Sequence, residues 1–149
     1  MKNIKRMALL IAAGLTLGLS TQANAEVGYL NYQKVLEAYP AAKQAVKEID
    51  AKTLELQQFM VDKERQYKAL DTPLKKQNFE NQTASELKVK QEAIYKLQND
   101  RQTQILNQIQ NAARTVMVSQ KLDAVLSDEV VFVGGVDITD LVIQKLNGQ

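Results

Sequence analysis

Ser85-Glu86-Leu87-Lys88 places a hydroxyl three residues before an amine, the S-x-x-K spacing of certain serine acyl-enzymes. Such a serine needs a pocket built by turns, and this one lies in a charge-rich stretch without glycine. The spacing therefore describes a helix surface rather than a nucleophile. Asp62/Arg65, Glu64/Lys68 and Glu92/Lys96 lie three or four residues apart, which sets opposite charges side by side on a helix instead of converging carboxylates for acid/base work. Asn81-Gln82-Thr83 has the form of a glycosylation sequon. The chain has no Cys and no His, which removes thiol nucleophiles, imidazole bases, disulfides and Cys/His zinc sites. It carries no glycine-rich phosphate loop and no carboxylate cluster with metal spacing. No catalysis, cofactor or metal is expected.

Binding chemistry is a better prospect. Lys75, Lys76, Phe79, Lys88, Lys90 and Tyr95 mix cations with aromatic rings, and Phe59, Met60, Val61 and Met117 add flexible apolar material suited to promiscuous contact. A soft, basic, partly apolar surface of this kind attracts acidic or unfolded partners. Phe59, Met60, Lys75, Lys76, Phe79, Lys88, Lys90 and Tyr95 are the expected client-binding residues.

Helices must position them. From Ala41 to Val133 there is no glycine, and Pro73 is the only proline. Ala42, Val46, Ile49, Thr53, Leu56, Met60, Lys63, Tyr67 and Leu70 follow steps of four and three, the spacing of a coiled-coil seam made leaky by Thr53 and Lys63. Ala84, Leu87, Ile94, Leu97, Ile105, Ile109, Ala112, Val116 and Leu122 form a return seam with glutamines between them. A reversal is expected at residues 72–83, with Thr72 and Pro73 opening a short helix and Thr83/Glu86 a capping box for the return limb. Residues 41–126 thus read as an antiparallel helical arm of about 60 Å.

The ends differ from this middle. Lys2, Lys5 and Arg6, the uncharged run Met7–Leu19 and Ala23-Asn24-Ala25 have the order of a secretory leader, residues 1–25, cleaved after Ala25. Its removal takes three of 19 basic residues and leaves 16 against 17 acidic ones, near −1. Residues 41–126 hold 14 basic and 11 acidic residues, or +3, far from a nucleic-acid footprint. Val27–Tyr32, Leu122–Leu126 and Val130–Val133 read as strands, and Gln33–Tyr39 and Asp140–Leu146 as short helices. Residues 26–40 and 127–149, with strand residues 122–126, form the expected body. So little material, without disulfide or metal, is expected to oligomerise. Val27, Tyr29, Leu30, Val35, Leu36, Val131, Phe132, Ile138 and Leu141 are its expected interface and core. The fold class is α+β, mostly α.

Val27-Gly28-Tyr29, Gln33 through Ala41 (QKVLEAYPA), the Lys/Gln/Glu-rich hairpin and Val136-Asp137-Ile138-Thr139-Asp140 through Lys145-Leu146-Asn147 together resemble the Skp/OmpH family of periplasmic chaperones. The resemblance covers the whole mature chain. It implies a jellyfish-like homotrimer, with a small β-barrel body assembled from three chains and helical hairpins around a cavity. It further implies an ATP-independent holdase in the periplasm of a Gram-negative bacterium. Its partners would be unfolded outer-membrane β-barrel proteins, with at most weak contact to a membrane surface or lipopolysaccharide because the mature chain is near neutral. The alternative is a trimeric coiled-coil adaptor of the envelope with one fixed partner, a reading that the glutamine-filled seam disfavours.

Overall fold

Val27–Leu30 forms β1, and Asn31 ends it by bonding in three directions. The Asn31 side-chain oxygen accepts from the Lys34 amide at 2.7 Å and caps helix α1, Tyr32–Ala38. Its side-chain nitrogen donates to Asp128 at 2.6 Å, and its backbone N–H donates to the Thr139 hydroxyl at 3.0 Å. One residue therefore ties β1 and α1 to two segments about a hundred positions away. Asn31→Ala removes the cap and the Asp128 bond, and should cost about 1–2 kcal/mol. A lower denaturant midpoint would be the readout, and an unchanged midpoint would contradict it.

The computed structural model describes residues 25–148. The expected leader, residues 1–25, lies outside them apart from Ala25. Pro40 stops α1 and opens α2, Pro40–Lys68, at its first turn, where a missing N–H costs nothing. A short connection at residues 69–72 reverses the chain, and α3 runs from Pro73 to Ser119. Then follow β2 (Ala124–Ser127), a single 3-10 turn (Asp128–Val130), β3 (Val136–Asp137) and α4 (Thr139–Asn147).

The three strands form one parallel sheet in the order β2-β1-β3. A parallel neighbour requires a crossover. Between β1 and β2 that crossover is the whole hairpin α1–α3. Gly28 sits at the centre because Leu122 packs across it: a Cβ there would lie 2.6 Å from the Leu122 methyl. Leu122 is delivered by the end of α3, where its N–H donates to the Met117 carbonyl at 2.9 Å and Lys121 adopts φ 56°. This is a Schellman turn with lysine at the position glycine usually takes. Gly134 and Gly135, both with φ near +85° (85° and 86°), make the left-handed bend into β3.

The core lies at the base of the hairpin. Leu30, Val35 and Tyr39 from the N-terminal end pack with Ala42 and Ala45 of α2, with Ile105, Ile109, Ala112, Ala113 and Val116 of α3, and with Ile138, Val142 and Leu146. From Val46 to Gln104 no residue is buried. The molecule is thus a rooted body with an open arm.

Four expectations are corrected. The Val130–Val133 strand does not form: Asp128–Val130 is a 3-10 turn, and Phe132 and Val133 have no strand partner. The preceding strand starts at Ala124 rather than Leu122, which serves the Schellman turn. The reversal is confined to residues 69–72, and Thr72 with Pro73 opens a helix of 47 residues rather than a short one. Thr83 and Glu86 lie inside that helix, so they cap nothing; Glu86 pairs with Lys63 instead. The limbs are accordingly unequal, 29 against 47 residues, and the surplus of α3 is what roots the arm. The end segments therefore do not stand alone, because Ile105–Val116 complete their core within the same chain.

Candidate functional site

Most of the four-three seam of α2 lies toward α3, with Ala42 buried and Ile49, Leu56, Lys63, Tyr67 and Leu70 half-buried, but the inward face shifts by one residue at two places. Ala45 and Phe59 point inward where Val46 and Met60 were expected, and Val46 and Met60 are exposed. The two helices run antiparallel, held by two ion pairs across the gap. Arg101 donates to both carboxylate oxygens of Glu48, at 2.9 and 3.1 Å. Lys63 meets Glu86 at 2.6 Å.

Lys63 is the hub of the outer arm. Its ammonium lies 5.1 Å from the Phe59 ring and 5.2 Å from the Phe79 ring, a cation held between two aromatic faces. The alkyl stem fills the gap between the helices while the charge finds partners. Lys90 covers Phe59 at 5.0 Å, and Lys76 covers the Tyr67 ring at 5.3 Å. Tyr67 and Phe79 stand 6.4 Å apart at a tilt of 43°. The Glu80 carboxylate near the Tyr67 hydroxyl holds the phenol above its usual range. The four-three spacing marks Lys63 only as a poor seam residue and does not show Phe79 and Glu86 as its partners across the gap. The signal was present as Phe59-Lys63-Tyr67, an aromatic–cation–aromatic ladder at steps of four.

The expected client-binding residues divide accordingly. Phe59, Phe79, Lys76 and Lys90 belong to this internal network. Lys75 bonds Asp71 at 2.9 Å and Lys88 lies 3.8 Å from Glu92, so their charges are locally balanced. Met60 and Tyr95 remain outward, with Leu54, Val61 and Val89 also exposed. Among the described residues no group of three or more acidic side chains could hold a metal ion, and no helix is long and apolar enough to cross a membrane.

The expected body residues divide as well. Leu30, Val35 and Ile138 are buried in the core, while Val27, Tyr29, Leu36 and Val131 are half-buried. Leu141 faces outward on α4. Phe132 is fully exposed, at 102% of its reference area, with Val133 and Val130 exposed on either side. These three form a run of apolar side chains that the single chain leaves uncovered.

Carboxylates pinned by hydrogen bonds tie the structure to pH. Lys63 holds Glu86 below its ordinary 4.5, and the Thr139 hydroxyl and amide hold Asp137 below its ordinary 3.8. Lys75 does the same for Asp71, and Lys68 for Glu64. A carboxylate with a lowered folded pKa stabilises the fold above its unfolded pKa, and that contribution is lost as pH falls through the folded one. The thermal midpoint should therefore hold down to about pH 5 and fall by about pH 3. A midpoint unchanged across that range would contradict the pairing.

The family model of OmpH-like outer membrane proteins matches residues 26–146. No curated protein matches the chain. Among solved structures, a candidate outer membrane chaperone (OmpH-like) from Caulobacter crescentus CB15 is similar at 17% identity and a TM-score of 0.42, covering 85% of this chain and 86% of that one. With the family match spanning β1, the hairpin and α4, the chain belongs to the OmpH-like family.

Proposed function

We propose that this chain is the subunit of an ATP-independent periplasmic holdase, a homotrimer whose arms surround unfolded outer-membrane β-barrel proteins and keep them from aggregating. The carrying observation is the arm without a buried core, which stands on a rooted base and exposes Leu54, Met60, Val61, Val89 and Tyr95. Scattered apolar side chains bind weakly one at a time, and three arms acting together supply avidity. An unfolded barrel strand offers alternating apolar residues and unpaired edges to such a surface. Membership of the OmpH-like family supports this reading, and the match begins at Glu26, the residue after the expected cleavage point.

In this proposal residues 41–126 supply the helical-hairpin arm, and residues 26–40 and 127–149, together with strand residues 122–126, form the trimerising body. The outward Met60 and Tyr95 lead the client contacts. Lys75, Lys76, Lys88 and Lys90, already paired or stacked, act more on the arm's own structure. The test is the mass of the processed protein in solution, together with light scattering of a urea-unfolded outer-membrane protein diluted into it. A trimer that suppresses scattering is expected. A monomer, or unchanged aggregation at molar excess, would overturn the reading. Met60→Ser with Tyr95→Ser should weaken capture several-fold at unchanged circular dichroism, and full capture by that variant would show that the clients bind elsewhere.

A further inference from the structure

We propose that an apolar groove at the base of the arm receives the Val130–Val133 segment of a second copy of this chain. The groove has a volume of about 820 Å³ and is lined by Tyr32 and Leu36 of α1, Val46 and Ile49 of α2, and Ile105 of α3. That is within the size range of pockets that enclose several apolar groups. Val46 is 57% exposed although it faces other apolar side chains across the groove, so its surroundings are incomplete in one chain.

The same chain carries the complementary piece. Val130, Phe132 and Val133 are exposed and do not line the groove of their own chain. Charge fits the same seating. Asp128 and Glu129 immediately precede the apolar segment, whereas Lys43 and Lys47 stand at the groove and enter no ion pair among the described residues. Glu37, the carboxylate on the same rim, accepts a hydrogen bond from Gln33 at 2.9 Å. A projecting piece and a receiving groove at different places on one chain make a head-to-tail contact, and such contacts close into rings when the rotation permits. The inference rests on the homotrimer reading and adds which surfaces join the copies.

The test places the photoreactive p-benzoylphenylalanine at position 132 in the full-length processed protein and maps the adducts after irradiation. An aromatic replacement keeps the bulk of Phe132. Adducts on Leu36, Val46 or Ile49 of another chain are expected. Val46→Asp, outside the chain's own core, should weaken association on the order of tenfold, or about 1.4 kcal/mol, at unchanged circular dichroism. An oligomer whose adducts fall within one chain or on the Val130–Val133 segments of other copies, or that gives no interchain adduct, overturns the groove assignment and leaves the trimer standing. A monomer in the mass measurement overturns the trimer reading, and the groove assignment falls with it.

Discussion

Ile138→Asp is expected to abolish cooperative folding of the whole chain. Ile138 has no exposed surface and lies between the sheet and α4. Its N–H donates to the Tyr29 carbonyl at 3.0 Å and its carbonyl accepts from Val142 at 3.0 Å, so the backbone cannot swing the side chain outward without losing both bonds. The buried cluster around Ile138 contains no cationic side chain to pair with a carboxylate there, and an unpaired buried charge costs many kcal/mol unless it takes up a proton. Domains of this size hold about 5–15 kcal/mol in total. Ile138→Val, by contrast, trims one methylene and should cost about 0.5–1.5 kcal/mol. The damage should not stay in the body. The arm between Val46 and Gln104 buries no residue, and helices without a packed face are marginal in water. Most of the helical circular dichroism should be lost with the body, and a cooperative melt close to that of the parent chain would refute this account of where the stability resides.

That dependence of arm on body could not be read from the sequence, although the parts could. The absence of glycine from Ala41 to Val133 marks the helices, and the return seam Ile105, Ile109, Ala112 and Val116 is buried as its spacing requires, but the return helix opens at Pro73 and not at the capping-box spacing of Thr83 and Glu86. What periodicity does not encode is which object a helical face meets. Ile105–Val116 were assigned to the partner limb, yet α2 is too short to reach all of them, and they pack on Val35, Ile138 and Val142. The Val130–Val133 run fails for a related reason. β propensity describes a side chain suited to a pleated, packed surface, and this segment has no such surface within its own chain. On the arm, the aromatic and basic residues were recognised as a cluster, but composition alone does not say whether a lysine faces a client or a phenylalanine four residues away. Lys63 and Lys90, each about 5 Å from the Phe59 ring (5.1 and 5.0 Å), show that much of this chemistry is turned inward.

Phe132→Asp should have the opposite signature to Ile138→Asp. Phe132 contributes nothing to the core of a single chain, because its ring is fully exposed. A carboxylate placed there remains in water, so circular dichroism and the unimolecular part of the thermal transition should hardly change. What the substitution removes, under the proposed trimer, is an aromatic anchor between copies, and anchors of that type carry about 2–4 kcal/mol or more of association energy. It also sets a new carboxylate close in sequence to Asp128 and Glu129, so three negative charges would crowd one seat. The loss on association should be at least thirtyfold, the factor equivalent to about 2 kcal/mol, enough to convert a micromolar trimer to monomers in sedimentation. Client protection should fall with it, since one arm binds without the avidity of three. Together the two aspartates separate what holds the chain from what joins the chains. A Phe132→Asp protein that stays trimeric would show that the exposed run is ordinary surface, and the assembly would then have to be sought elsewhere on the body.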